Sequence, residues 1–369
     1  MAAVEADGTA AAPQLPPVRP DLVELTGYHS AQVDVEVRLN TNESPLPPPE
    51  GWLEEFRASL DEIDFNRYPD REATALRAAL AESHGVRPEQ VFCANGSNEV
   101  LQSLMLAYGG PGRTLALFEP TYTMHRQIAR TTGTTVAAGR RTDDHRLDLD
   151  EVRRVVDADR PVLTFLCSPN NPSGRADGLD QIEAVLAMAP GLLVVDEAYG
   201  QFAPSSALEL LRRGGPGSER VAVIRTFSKT WSMAGVRLGY LVAAPEVIRA
   251  CGLVALPYHL DSVKQLAGRL ALRYVEEMEA RVALLIEERG RIAATLATLP
   301  VESWPSDANF ILFRPLTVPA REVWATLLDH SVLVRDCSEW PGLDGCLRVT
   351  VGLPEENDRF LAALDESLR

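Results

Sequence analysis

The sequence predicts an α/β protein whose main sheet is largely parallel and buried on both faces. Three observations predict it. Short apolar runs at Thr114–Phe118, Pro161–Leu166, Gly191–Val195 and Val221–Arg225 each lead through a turn into a helical pattern. These runs are continuously apolar, as in strands covered by helices on both sides. Each run delivers its polar residues at its C-terminal end, at Glu119-Pro-Thr-Tyr122, Ser168-Pro-Asn-Asn-Pro-Ser-Gly174, Asp196-Glu-Ala-Tyr199 and Thr226–Lys229. Sheets of this kind bind ligands at that edge. No GxGxxG follows any of the strands, so a dinucleotide site has no support.

Bulk properties narrow the field. A chain of 369 residues is long for one minimal core and suggests two domains. The formal net charge of −16 argues against a nucleic-acid partner. No apolar run reaches the roughly 18–20 residues of a membrane span, and no secretory leader pattern opens the chain. Cys93, Cys167, Cys251, Cys337 and Cys346 are far apart and form no CxxC pair. They read as buried thiols of a reduced, cytoplasmic protein. The histidines show no metal-ligand spacing, so no metal is expected.

In chain order, residues 1–20 are rich in Ala and Pro and read as a disordered leader. Val35–Leu39 alternates like a strand. The prolines of Asn40–Pro49 make a stiff irregular crossing. A helix is expected from about Pro49 to Asp61, a turn at Asn66–Asp70, and an Ala-rich helix at Glu72–His84. Strand Val91–Ala94 then leads through Asn95-Gly-Ser-Asn-Glu99 into a helix at Val100–Tyr108. Small residues at such a junction leave backbone N–H groups and a positive helix end free to hold a phosphate. A plain N-cap by Ser97 or Asn98 explains the segment equally well.

Beyond the four central strands, Leu238–Ala243 reads as another strand and Leu256–Leu260 follows it. Ser262–Leu299, densely charged, reads as one long helix linking two domains. Ala308–Phe313, a helix near Ala320–His330, strands Val332–Asp336 and Cys346–Val351, and a last helix at Pro354–Leu368 suit a smaller α+β domain. The expected division assigns residues 21–60 to an N-terminal arm and part of the small domain. Residues 61–264 form the large domain and 265–369 the rest of the small one.

The most informative residue is Lys229. Of 36 basic side chains only Lys229 and Lys264 are lysines. A lysine retained in such a chain suits a task arginine cannot perform, and Schiff-base formation is the clearest, because an amine can lose its proton. A solvated loop lysine is the plain alternative. Ser228 and Arg237 flank Lys229 and could hold a phosphate between hydroxyl and guanidinium. Asp196 follows Leu-Leu-Val-Val and would sit poorly solvated on a cleft floor, in need of a cation. A pyridinium nitrogen or an arginine would satisfy it. Arg335 and Arg348 lie inside apolar strands and are expected to bind an anion.

Taken in order, Asn171, Asp196, Tyr199, Ser228-Lys229, Arg237 and Arg348 closely resemble the fold-type-I pyridoxal-phosphate aminotransferases. Within these the chain is similar to the histidinol-phosphate aminotransferases. The matching motifs are Leu39-Asn-Thr-Asn-Glu-Ser-Pro45, Arg67-Tyr-Pro-Asp70, Asn95–Glu99, Ser168–Gly174, Val195-Asp-Glu-Ala-Tyr199 and Leu347-Arg-Val-Thr-Val-Gly352. Together they span the chain from about Leu22 to Leu368. The resemblance implies a large domain with a mostly parallel seven-stranded sheet flanked by helices, plus a smaller α+β domain.

It also implies pyridoxal 5'-phosphate as cofactor, a small-molecule amino donor and a 2-oxo acid as substrates, and a homodimer with shared active sites. By resemblance Lys229 carries the cofactor and moves the proton, and Asp196 keeps the pyridine nitrogen protonated. Asn171 and Tyr199 bond the ring's phenolic oxygen, and Tyr122 stacks on the ring. Gly96, Ser97, Asn98, Ser228 and Arg237 fall to the cofactor, largely around its phosphate, with Tyr68 reaching in from a partner subunit. Arg348 takes a substrate anion, and Tyr28, Asn98, Tyr258 and Arg335 complete the substrate shell.

The implied reaction is transamination of L-histidinol phosphate with 2-oxoglutarate in histidine biosynthesis. An aromatic amino acid aminotransferase, or a pyridoxal-phosphate decarboxylase of a phosphorylated amino acid, would share this scaffold. A cofactor-binding regulator would need a fused DNA-binding module, for which residues 1–20 are too short. Thr230-Trp-Ser-Met233, with the bulky Trp231, departs from the family pattern. It leaves the catalytic residues intact and bears on substrate preference.

Overall fold

The computed structural model describes residues 15–23, 25, 27 and 30–369. Most of the expected leader, and Tyr28, lie outside them. The first strand, β1 (Val37–Leu39), is followed by seven that make one sheet. These are β2 (Val91–Ala94), β3 (Thr114–Glu119), β4 (Thr135–Arg140), β5 (Leu163–Cys167), β6 (Leu192–Asp196), β7 (Val221–Thr226) and β8 (Gly239–Ala243). Their spatial order is β2-β8-β7-β6-β5-β3-β4. Only β8 runs against its neighbours, pairing antiparallel with β2 and β7. The remaining pairs are parallel.

The central strands are buried along their whole length, as their unbroken apolar runs predict. Successive residues feed different cores. Leu193 and Val195 of β6 join one apolar cluster, Leu192 and Val194 another. A pleated strand turns alternate side chains to opposite faces, so both faces of the sheet are covered. Helix Ser97–Tyr108 contributes Leu101 and Leu104 to the second cluster.

The β4 strand was not expected from the sequence. Its Thr-Val-Ala-Ala-Gly-Arg has little apolar bulk and stands at the sheet edge with Thr135, Ala138 and Arg140 exposed. Such a strand is defined by its partner β3 rather than by its own pattern.

A second sheet has the order β1-β11-β12-β10-β9, with β9 (Val301–Ser303), β10 (Phe310–Pro315), β11 (Val332–Asp336) and β12 (Leu347–Thr350). Here β1 lies parallel to β11, with Val37 opposite Val332. The N-terminal segment is thereby tied to strands roughly 300 residues further along.

Two expected helices need correction. Ser262–Leu299 is two helices, Ser262–Ala271 and Val275–Leu296. No proline breaks the stretch. The chain turns at Arg273-Tyr274, whose N–H groups bond three residues back, to Leu270 and Ala271. Both side chains dock on Glu55 of helix Glu50–Ser59, Arg273 as an ion pair and the Tyr274 hydroxyl at 3.1 Å. The break is made by tertiary docking. The helix expected from Val100 begins instead at Ser97, because Gly96 at φ 81° turns the chain sharply enough to start it there.

Candidate active site

A cleft lies at the C-terminal edge of the large sheet, closed on one side by residues of the small sheet. Asp196 ends β6, opposite Cys167 of β5 and Ile224 of β7. It is 2% exposed. One carboxylate oxygen accepts the Ala198 N–H at 3.1 Å, and the other lies 3.0 Å from His125 Nε2. The arginine partner that the sequence left open is not what holds it. His125 is itself fully buried and sits edge-on to Tyr122 and Phe165. Its part could have been suspected only from the apolar face of helix Thr123–Thr131, since a single histidine carries no spacing signal.

Lys229 lies in the connection between β7 and β8. That connection needs no crossover helix because the two strands are antiparallel. Lys229 Nζ donates to the Thr41 carbonyl at 2.9 Å and lies 5.8 Å from the Tyr199 ring centroid. Burial, and then the Arg348 guanidinium, pull its pKa down to about 7. The amine can therefore lose its proton near neutrality. Tyr199 is buried, and burial holds its hydroxyl protonated well above the usual range. That hydroxyl accepts from Asn42 Nδ2 at 2.9 Å.

The same connection builds an anion cradle with the β2-to-helix junction. Arg237, left-handed at φ 59°, turns its guanidinium toward Ser228 Oγ at 3.4 Å. A Cβ on Gly96 would fall 2.8 Å from Arg237 Nη2, and one on Gly239 would fall 2.4 Å from the Ser97 nitrogen. Glycine at both places lets backbone N–H, hydroxyl and guanidinium converge at the positive end of helix Ser97–Tyr108.

The small sheet supplies the remaining wall. Arg348 of β12 is 5% exposed and lies 5.1 Å over the Phe310 ring. Its Nη2 donates to the Asn40 carbonyl at 2.9 Å, its Nη1 to Asn171 Oδ1, while Nε has no protein partner. Arg335 of β11 also lines the cleft. Tyr122 donates to Asn98 Oδ1 at 3.4 Å.

The sequence-predicted Gly96, Ser97, Asn98, Tyr122, Asn171, Asp196, Tyr199, Ser228, Lys229, Arg237, Arg335 and Arg348 thus converge on one cleft or its immediate border. Tyr28 lies outside the described residues. Tyr68 and Tyr258 are not in the cleft of their own chain. They stack on one another at 4.4 Å between centroids, 80% and 42% exposed.

Trp231 is not a cleft residue either. It is 8% exposed and packs on Phe227 in the core beside Trp52 and Met278, so substrate preference is not set by its contact with a ligand. Thr41, Asn42, His125 and Trp340 were not singled out from the sequence. Asn42 sat in a recognised motif, but its ties to Tyr199 and Thr350 are tertiary.

A sheet that gathers a proton-exchanging lysine, a buried carboxylate and an anion cradle at one edge is the framework of a group-transfer enzyme. The chain belongs to the aminotransferase class I and II family, whose profile matches residues 34–364. It is similar to the histidinol-phosphate aminotransferase of Frankia casuarinae, 46% identical over 95% of this chain and 90% of that one. The histidinol-phosphate aminotransferase of Corynebacterium efficiens is 44% identical over 95% of this chain and 94% of its own. Among solved structures, the histidinol-phosphate aminotransferase of Sinorhizobium meliloti in complex with pyridoxal-5'-phosphate superposes with a TM-score of 0.82. It is 25% identical, with 91% of each chain covered. Among the described residues no helix is long and apolar enough to cross a membrane.

Proposed function

We propose that this protein transfers the amino group of L-histidinol phosphate to 2-oxoglutarate, giving imidazole-acetol phosphate and L-glutamate, a step of histidine biosynthesis. Pyridoxal 5'-phosphate is its cofactor. The observation that carries the reading is the meeting of Lys229, Asp196 and Arg348 in one cleft beside the anion cradle. The names of the relatives support the choice of donor.

The residues present fit the cofactor. Ser97 N–H, Ser228 Oγ and Arg237, brought together by the close packing that Gly96 and Gly239 permit, suit a phosphate. Asp196, buried with a histidine and one backbone N–H, has a charge that a pyridinium nitrogen would balance. When bound, pyridoxal 5'-phosphate supplies an electron-poor ring that stabilises the electron pair left when the donor loses its Cα proton.

The protein's own residues do the rest. Lys229 Nζ, with its pKa near 7, is the base that takes that proton at neutral pH. Asp196 holds the positive charge that makes the ring electron-poor, and His125 keeps its carboxylate in place. Asn171 and the protonated Tyr199 hydroxyl would bond the ring oxygen, and Tyr122 would cover a ring face. Arg348, already oriented by Asn40 and Asn171, grips the substrate anion with Asn98 and Arg335 nearby.

The donor prediction follows from the polar groups in this pocket. Removing the phosphate from the donor leaves buried donors unpaired, and sites built on hydrogen bonds reject such analogues by about 10⁴-fold. Histidinol is therefore expected to be a far poorer donor than histidinol phosphate in single-turnover half-reactions. Phenylalanine outperforming histidinol phosphate would transfer the assignment to the aromatic aminotransferases. Release of CO2 without a 2-oxo acid acceptor would mark a decarboxylase.

The reading includes a homodimer with shared sites. Two exposed tyrosines stacked outside their own cleft, Tyr68 and Tyr258, suit a role in the cleft of a second subunit. Mixing Tyr68→Ala and Lys229→Ala proteins, each inactive, is expected to restore about one quarter of wild-type activity, since half the dimers are hybrids with one intact site. No recovery after demonstrated subunit exchange would remove Tyr68 from the site. The compartment proposed is the cytoplasm, and the five free, buried cysteines suit its reducing conditions.

A further inference from the structure

Three aromatic side chains border the cleft: Tyr122, Tyr199 and Trp340. The first two sit with the groups proposed to hold the cofactor, Tyr122 bonded to Asn98 and Tyr199 beneath Lys229. Trp340 belongs to the small-sheet side, in the loop of residues 337–346 between β11 and β12. It is the aromatic face that the small-sheet side adds to this lining, beside Arg335 and Arg348.

The loop presents this indole rigidly. Cys337 and Cys346 are joined by a backbone hydrogen bond of 3.0 Å. Within the loop Trp340 N–H donates to the Cys337 carbonyl at 2.9 Å, and Leu343 N–H to the Trp340 carbonyl at 3.0 Å. Beneath lies a small core of Trp304, Leu312, Leu343 and the two cysteines, against which Trp340 is half-buried. The Arg335 guanidinium lies 5.9 Å from the Trp340 ring centroid, within cation–π range. A flat apolar face and a cation are thus held at a set spacing beside Arg348.

Resting on the transaminase reading above, we infer that Trp340 is a specificity-determining residue whose indole face receives the flat ring of the amino donor. Arg335, laid against the same indole, holds an anionic group of that donor. Aromatic rings gain from offset or edge contact beyond simple area burial. Glutamate has no ring and draws nothing from this face. One cleft can then serve two unlike substrates, gripping the anion of either through Arg348 and the ring of only one through Trp340.

The test is a ratio measured on the cofactor-loaded enzyme. In single-turnover half-reactions, kcat/KM is measured for histidinol phosphate, phenylalanine and glutamate with wild type, Trp340→Leu and Trp340→Phe. Trp340→Leu is expected to lower the ratio of ring-bearing donor to glutamate about tenfold, chiefly through KM, the scale of one aromatic contact. Trp340→Phe, which keeps a ring, is expected to recover part of it. Equal losses on all donors, the sign of a merely structural indole, would overturn the inference, as would an unchanged ratio.

If Trp340→Leu does not fold, Trp340→Phe and hydroxyl-radical footprinting of the wild-type holoenzyme decide. Trp340 should be protected by the ring-bearing donor and not by glutamate, and equal protection overturns the proposal. A wild type that uses phenylalanine but not histidinol phosphate refutes the histidinol-phosphate reading alone, because the phenylalanine-to-glutamate ratio still judges Trp340. A wild type that uses neither refutes both.

Discussion

Lys229→Ala is expected to lose transamination by on the order of 10⁴-fold or more while still binding the cofactor, because the sole proton-moving group is removed. Binding should survive because the groups at Ser97, Ser228 and Arg237 do not involve the amine. Borohydride reduction of the loaded wild-type protein is expected to leave the cofactor on the peptide containing Lys229. Label on Lys264 would sink the assignment, and its geometry argues against that, since its amine is paired with Asp261, the N-cap of its own helix Ser262–Ala271.

A pH dependence accompanies this prediction. The amine attacks an aldehyde only when neutral, and its pKa is lowered to about 7. Capture of pyridoxal 5'-phosphate by the cofactor-free protein should rise about tenfold per pH unit below 7 and level off above it. The same shift has a stability consequence. Between about 7 and the ordinary lysine value of 10.5 the unfolded chain binds more protons at this site than the folded one. The contribution of Lys229 to stability therefore rises with pH across that window, and the folded protein bears its full cost below pH 7. A capture rate that still climbs about tenfold per unit from pH 7 to 9 would mean that the amine is not depressed.

Asp196→Ala is expected to lower turnover by roughly 3–5 kcal/mol, or 10²- to 10⁴-fold, the scale of breaking a buried charge pair. The carboxylate sits at the end of a central strand with its chain neighbours Val195 and Glu197 buried. Its loss also strips the acceptor from His125 Nε2 and from the Ala198 N–H, which should lower the melting temperature of the cofactor-free protein. Asp196→Asn keeps an acceptor for the backbone N–H but no charge. It should recover stability more than turnover. Near-normal turnover in Asp196→Ala would make the carboxylate a structural residue only.

By itself the sequence determined the central strands and the polar residues at their ends, and it singled out Lys229, Asp196 and Arg348, which meet in one cleft. Those features are local. A β-branched apolar run of five residues bounded by turns suits a strand covered on both faces, and the residue after it emerges at the sheet's edge. A lysine in an arginine-rich chain stands out by composition alone. What only the tertiary structure decided involves partners distant along the chain.

The weakly apolar β4 became a strand because β3 offered it a ladder, and the long charged helix broke at Tyr274 because Glu55 was there to receive it. His125 gained its place from Asp196, 71 residues on, and Asn42 from Tyr199 and Thr350. Trp231, conspicuous in the sequence beside the lysine, went to the core, while the unremarked Trp340 went to the cleft. Residue type sets what a side chain can do, but burial and orientation depend on which distant segment packs against it, and no local pattern carries that information.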